Sequence, residues 1–452
     1  MLKTLFFSFI FSITFYSYGQ KTLFIETDKA IEDIENMVSK FEEIHYNPYF
    51  KTGQSDFENY KLKSYSSWKF DSIPLKEFIA TGMKLSALLS GGHSSMDWQN
   101  PKIMPLIASH LYVPFTGNLS SDNKTFTVTK STHSKIKAGM KIQAINGINI
   151  VNLYKECASY IGGIETFQNS SCEKVFPLYL FFNDKLNAPY SILCETKEVI
   201  EIPGLSINEL IPFINDNNAL QNNYSFEIID NEVGLISYNS CTGYEEFDQF
   251  LKATFKEIKK KKITSLIIDI RENLGGNSAL NDLLLAYITT KPYRQFSGRF
   301  WKVSEDAKEA YVSNPVYEKN EGEDFMKEYM NTPNQEIIAD FNDALIHPVS
   351  PKNYFNGKTC FLIGPNTFSS ANLLADAVKT YKISTLIGAP TGENTNDFGE
   401  QISFTLQNSG CKIYVSSTYD IGANGDETIF EPVYPDIKVT NNALQFAIDW
   451  IK

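Results

Sequence analysis

Phe361-Leu-Ile-Gly-Pro-Asn-Thr-Phe-Ser-Ser-Ala-Asn-Leu-Leu-Ala-Asp-Ala377 decides the fold. With Thr359 and Cys360 before it, the run to Gly364 is apolar without alternation, as in a strand buried on both faces of a parallel sheet. A short loop follows, and Ser369 to Tyr381 then carries helical spacing. Strand, loop and helix in that order are half of a βαβ unit.

The same grammar extends outward on both sides. Val233 to Tyr238 reads as a strand. Tyr244 to Lys260 reads as an amphipathic helix, with Phe247, Phe250, Leu251, Phe255 and Ile258 on one side. Leu266-Ile-Ile-Asp-Ile is a second buried strand, Leu280 to Ile288 a helix, and Ser384 to Gly388 a further strand. The alternation predicts an α/β core, residues 204–452, around a largely parallel sheet. Phe296 to about Pro351 is irregular and aromatic, and reads as an insertion covering that sheet.

Upstream the pattern changes twice. From Asp28, a possible N-cap, apolar residues at Ile31, Ile34, Met37, Val38 and Phe41 predict a helix, and a second is predicted from Leu75 to Leu89, ending at Gly91-Gly92. These make residues 20–103 a helical domain that ends in the loop of His93. Residues 104–203 read as a β-rich module of short strands. In it Asn146-Gly147 makes a tight hairpin turn and a helix follows from about Leu153.

The bulk numbers set boundaries. A chain of 452 residues is too long for one ordinary core. With 42% hydrophobic and 21% charged residues it is a folded protein. A net charge of −12 argues against nucleic acid and anionic membrane surfaces as partners. Lys3, the apolar run Leu5 to Tyr16, and small Ser17 and Gly19 form a secretory leader, residues 1–19, with cleavage before Gln20. A short membrane anchor is the other reading, although the run falls below the roughly 20 residues of a bilayer span. The expected location is therefore exported, periplasmic or extracellular. Six cysteines include no CxxC pair, so no zinc site is expected. Cys157 and Cys172 are the first pair to consider for a disulfide, and buried free thiols are the equal alternative.

Two stretches could carry chemistry. A hydroxyl at the start of the helix near Ser369 and Ser370 feels the positive end of the helix dipole, which favours a developing negative charge. A serine there is also what plain N-capping selects. In Ile267-Ile-Asp-Ile-Arg-Glu-Asn-Leu-Gly-Gly-Asn277 a core strand runs into a loop whose glycines let the backbone approach a ligand. An ordinary strand-to-helix turn would look the same.

Together, Asp269 to Gly276, Thr367 to Leu374 and Leu386 to Glu393, with Pro435-Asp-Ile-Lys-Val closing, resemble the carboxy-terminal-processing and tricorn-core serine peptidases. Gly139-Met-Lys-Ile-Gln-Ala-Ile-Asn-Gly147 resembles the carboxylate-binding, PDZ-type module such proteins carry. The resemblance implies a crotonase/ClpP-like core and a serine endopeptidase acting on short or unfolded peptides, with no cofactor and no metal. It assigns the nucleophile to Ser370, with Ser369 as its neighbour, and the oxyanion donors to Ala371 and to Gly275 or Gly276. The family's usual lysine base is missing from Gly392-Glu-Asn-Thr-Asn-Asp-Phe-Gly-Glu400. The resemblance to the tricorn-like branch therefore points to His93, in Leu89-Ser-Gly-Gly-His-Ser-Ser-Met, as the base. Gly92 stands where that branch has a relaying serine. Glu431 and Glu427 are candidates to orient the base, and Ser94 or Ser95 to replace the hydroxyl. The alternatives are a non-catalytic binder of peptides or lipophiles on the same fold, and a crotonase-like acyl-CoA enzyme, which an export leader disfavours.

Overall fold

The computed structural model describes residues 23–89, 91–215, 222–230, 232–314, 322–341 and 344–452. The leader expected over 1–19 lies outside them. Among the described residues no helix is long and apolar enough to cross a membrane.

The fold is mixed α/β and holds several sheets. The run Leu266 to Ile268 forms strand Ser265–Asp269, paired in parallel with Val233–Tyr238 on one side and Lys358–Ile363 on the other. Thr385–Gly388 and Ile437–Lys438 extend the parallel order, and Tyr224–Asp230 closes the opposite edge antiparallel. Side chains alternate between the two faces of this sheet. Ile236, Leu266, Ile268 and Phe361 pack under helices Tyr244–Lys261, Ala279–Ile288 and Ser370–Thr380. Val233, Ile267, Cys360 and Leu362 pack on helix Ala443–Ile451. Both faces are covered, which is why the strands are apolar throughout.

A second sheet corrects one expectation. Phe296–Lys302, read as part of an irregular cover, is an internal strand of an antiparallel sheet ordered Ile337–Phe341, Phe296–Lys302, Lys412–Gly422, Asp397–Thr405. Its partners lie far along the chain, so its own short period-two pattern did not reveal the pairing. The two-residue strand Ser95–Met96 adds to this sheet by pairing with Tyr414 and Ile413.

Toward the N-terminus, helices Thr27–Ile44 and Leu75–Ala87 bury Met37, Phe41, Phe78 and Met83 in one cluster with Trp301, Ile402, Ile413 and Val415 of the antiparallel sheet. The first helix starts at Thr27, with Glu26 at the cap position and no side-chain cap bond, so Asp28 lies inside it. Residues 115–202 form an antiparallel sheet with its own core, which takes in Phe115, Phe126, Phe176 and Ile192. Asn146 and Gly147, both at positive φ, make its tight turn. All six cysteines are buried free thiols, so Cys157 and Cys172 are not bridged.

Candidate active site

Neighbouring parallel strands deliver two loops to one end of the core sheet, the carboxyl end where ligands gather in such folds. The loop after Lys358–Ile363 is stitched to the loop after Ser265–Asp269. Phe368 N–H donates to the Asn273 carbonyl at 3.0 Å, and Thr367 Oγ1 donates to the Ile270 carbonyl at 2.9 Å. Thr367 Oγ1 also accepts the Gly364 N–H at 3.0 Å, which closes the loop on itself.

Ser369 ends that loop just before the helix. It is held at φ 53° and ψ −128°, a conformation that costs an L-residue about 1–3 kcal/mol. Two contacts hold it there. Its N–H donates to Glu393 Oε2 at 2.5 Å, and Gly275 lies close beneath it. A Cβ on Gly275 would fall 2.7 Å from Ser369 Cβ and 2.8 Å from Ser370 N, and its φ of +92° independently favours glycine.

His93 comes from the far end of the chain. Pairing of Ser95–Met96 with strand Lys412–Gly422 fixes its segment. The Ser416 N–H donates to Ser94 Oγ at 3.1 Å, and Gln401 Nε2 donates to the His93 carbonyl. The imidazole lies 4.8 Å from the Phe368 ring, which in turn stacks on Phe167 at 4.5 Å. Gly92 leaves room for this arrangement, because a Cβ there would lie 2.7 Å from the Phe368 ring.

The imidazole faces Ser369, not Ser370: His93 Nε2 is 3.1 Å from Ser369 Oγ. The expected pairing with Ser370 is therefore corrected. Ser370 is the first residue of the helix, 5% exposed, and its hydroxyl donates to the Gly276 carbonyl at 2.7 Å. Its own carbonyl accepts from buried Asn281 at 2.8 Å, which anchors the helix start to helix Ala279–Ile288.

On the other side of the ring, Nδ1 lies 3.0 Å from Oε1 of buried Glu393. Neither atom has a partner in good hydrogen-bond alignment, so the carboxylate acts on the ring through its charge at close range. Glu393 thus touches both the imidazole and the backbone of Ser369. Glu431, the expected orienting group, is exposed; its contribution is a carbonyl that accepts the Thr395 N–H at 2.8 Å. Glu427 is exposed too. Ser94 is bonded to Ser416 and Ser95 lies in the short strand, so neither relays to the ring. Glu393 was visible as half of the Gly392-Glu393 pair, but nothing in its spacing pointed toward a histidine 300 residues earlier.

The expected oxyanion donors divide. The Ala371 N–H is taken by the Phe368 carbonyl at 3.1 Å, and the Gly275 N–H by Asn273 Oδ1 at 2.9 Å. Among the described residues, the N–H groups of Gly276 and Ser370 have no acceptor.

Burial by itself would press the imidazole toward its neutral form. The charge and contact of Glu393, helped by Asp397 and Asp420, outweigh that and raise it from 6.5 to about 9. The constellation can do nucleophilic chemistry: a strained hydroxyl, a ring nitrogen in reach of its proton, and a carboxylate on the ring's far nitrogen.

Residues 232–439 match the family model described as Peptidase family S41. Among solved structures, a CPAF mutant superposes with a TM-score of 0.64 at 14% identity, covering 93% of this chain and 95% of that chain. Mature CPAF gives 0.59 at 14% identity, covering 94% and 96%. Mature CPAF complexed with lactacystin gives 0.59 at 15% identity, covering 94% and 97%. At these identities the likeness is one of fold. No curated protein matches the chain by sequence.

Proposed function

From the premise that residues 232–439 are a peptidase family S41 domain, which makes the chain a serine-type peptidase, we propose that it is an exported endopeptidase. It cleaves short or unfolded peptides through an acyl-enzyme on Ser369. The observation that carries this reading is the 3.1 Å contact between Ser369 Oγ and His93 Nε2, with Glu393 on Nδ1.

In the first half-reaction Ser369 Oγ attacks the peptide carbonyl carbon and its proton passes to Nε2. The developing oxyanion lies against the N–H groups of Ser370 and Gly276. Donors of this kind are each worth about 10²–10³ in kcat. Nε2 then gives the proton to the leaving amine as the C–N bond breaks. In the second half-reaction Nε2 takes a proton from water, water attacks the acyl carbon, and the proton returns to Oγ. Glu393 keeps a proton on Nδ1 so that Nε2 is the nitrogen free to accept.

The proposal includes a crotonase/ClpP-like core over 204–452, a helical domain over 20–103 that lends His93, and a PDZ-like module over 104–203. That module would admit a peptide as an added strand. An export leader at 1–19 completes it.

The test is labelling by a fluorophosphonate probe, with digestion of an unfolded protein read alongside. Wild type and Ser370→Ala should label; Ser369→Ala and His93→Ala should neither label nor digest. Labelling that survives in Ser369→Ala and vanishes in Ser370→Ala would return the nucleophile to Ser370. No labelling of a well-folded wild type would favour a non-catalytic peptide binder. Lactacystin, bound by mature CPAF in a structure of similar fold, should protect Ser369 from the probe.

A further inference from the structure

We propose that Asp397 is a second positioning acid of this site. One buried carboxylate closes the Glu393 turn beside the backbone that leads to His93, and its charge sets the pH range over which His93 can accept a proton. The inference rests on His93 being the base.

Asp397 opens strand Asp397–Thr405, four residues after Glu393. Its Oδ2 accepts the Asn394 N–H at 3.2 Å, which closes the turn that presents Glu393. Its Oδ1 accepts the Phe398 N–H at 2.7 Å. On the other side lies the backbone that leads to His93: a Cβ on Gly91 would come within 2.9 Å of Oδ1. The turn is pinned independently by Asn372 Nδ2, which donates to the Asn394 carbonyl at 2.8 Å. The carboxylate is thus where two segments from opposite ends of the chain converge, next to the imidazole they position.

Its charge cannot be ignored in so dry a place. Burial and the neighbouring Glu393 charge both push the Asp397 carboxyl above its ordinary range. The other groups facing it are accounted for. Asp420, its partner across the strand pair, is held by Arg299 at 2.6 and 3.0 Å, and Arg299 also reaches Glu400 at 3.4 Å. Besides His93, Lys51 feels the Asp397 charge; its Nζ donates to the Gly163 carbonyl at 2.9 Å. The Tyr419 phenol also feels Asp397, and Glu427 acts on that phenol. Each negative charge near the ring strengthens its hold on a proton, while a general base must let the ring be neutral. Removing the Asp397 charge therefore moves the imidazole toward easier deprotonation.

The experiment is a ring ¹H–¹³C NMR titration, with the His93 signal assigned by its loss in His93→Gln. It is run on wild type, Asp397→Asn and Asp420→Asn. Asp397→Asn should lower the His93 midpoint by about one pH unit. Asp420→Asn, whose charge Arg299 already balances, should move it less. The rising limb of kcat/KM should follow the ring in each variant. An unchanged ring midpoint in an Asp397→Asn protein that melts like wild type overturns the proposal. So does an unchanged ring midpoint in Asp397→Ser, a second variant without the charge, where Asp397→Asn does not fold. A ring midpoint that falls while the kcat/KM limb stays put keeps the electrostatic role of Asp397 and overturns His93 as base.

Discussion

Ser369 and Ser370 are chemically identical neighbours, and a single backbone torsion separates their fates. The positive φ of Ser369 turns its hydroxyl toward His93, while helical geometry turns that of Ser370 into the core. That torsion depends on Gly275, so Gly275→Ala should displace Ser369 and, on the proposed mechanism, lower kcat/KM by about 10²-fold, since small misplacements of reacting groups cost that much. Its melting temperature should move by only a few degrees, and kinetics beside calorimetry would check both. The imidazole also makes a pH prediction. Its proton affinity in the folded state is raised from 6.5 to about 9, so the base form accumulates only as pH climbs, and kcat/KM should rise through pH 8 to 9. Glu393→Gln should shift that limb toward or below 6.5 and lower the plateau. The linkage runs the other way for stability. A raised folded-state value stabilises fully below 6.5 and loses its contribution as pH passes about 9. Asp397, also raised, acts in the same direction, so thermal melts should weaken from pH 6 to 10.

At the level of elements, the His93 segment is held by two residues of strand and the bonds around them. Ser95–Met96 pairs with Ile413 and Tyr414, the Asp97 N–H donates to the Lys412 carbonyl at 2.8 Å, Gln401 donates to the His93 carbonyl, and Ser94 Oγ accepts the Ser416 N–H. Ser94→Ala leaves that buried N–H without its acceptor, a loss of about 1–3 kcal/mol. A lower melting temperature and a several-fold lower kcat, with intact probe chemistry, are the expected results. An unchanged kcat would mean that the strand pairing and the Gln401 bond suffice to hold the ring. The strand is too short for periodicity to register. Strand Ser265–Asp269, by contrast, was plain in the sequence, because burial on both faces demands an apolar run of strand length.

Across the whole molecule, the N-terminal helices are part of the peptidase and not an appendage. They cover Trp301, Ile402, Ile413 and Val415, and the segment after them carries the imidazole. A chain that lacks residues 23–103 should expose that apolar face and lose His93 together. We expect poor solubility, binding of a hydrophobic dye, and no fluorophosphonate labelling. A soluble truncated protein that still labels would show that the remaining sheet completes the site without His93.

What the sequence determined by itself was local and repetitive: buried strands, the helices between them, the Asn146-Gly147 turn, and the loops where chemistry would gather. These follow from burial periodicity and from glycine's freedom, which act over a few residues. Two other matters were decided only in three dimensions. Which of two adjacent serines faces His93 depends on how Gly275 and Glu393 press on one backbone. Which acid lies beside His93 depends on a turn and a strand that meet across 300 residues: buried Glu393 touches the ring, and Glu431 is exposed. The physical reason is the same for both: hydrogen bonds and charge contacts select among equivalent residues only after the packing has brought the segments together.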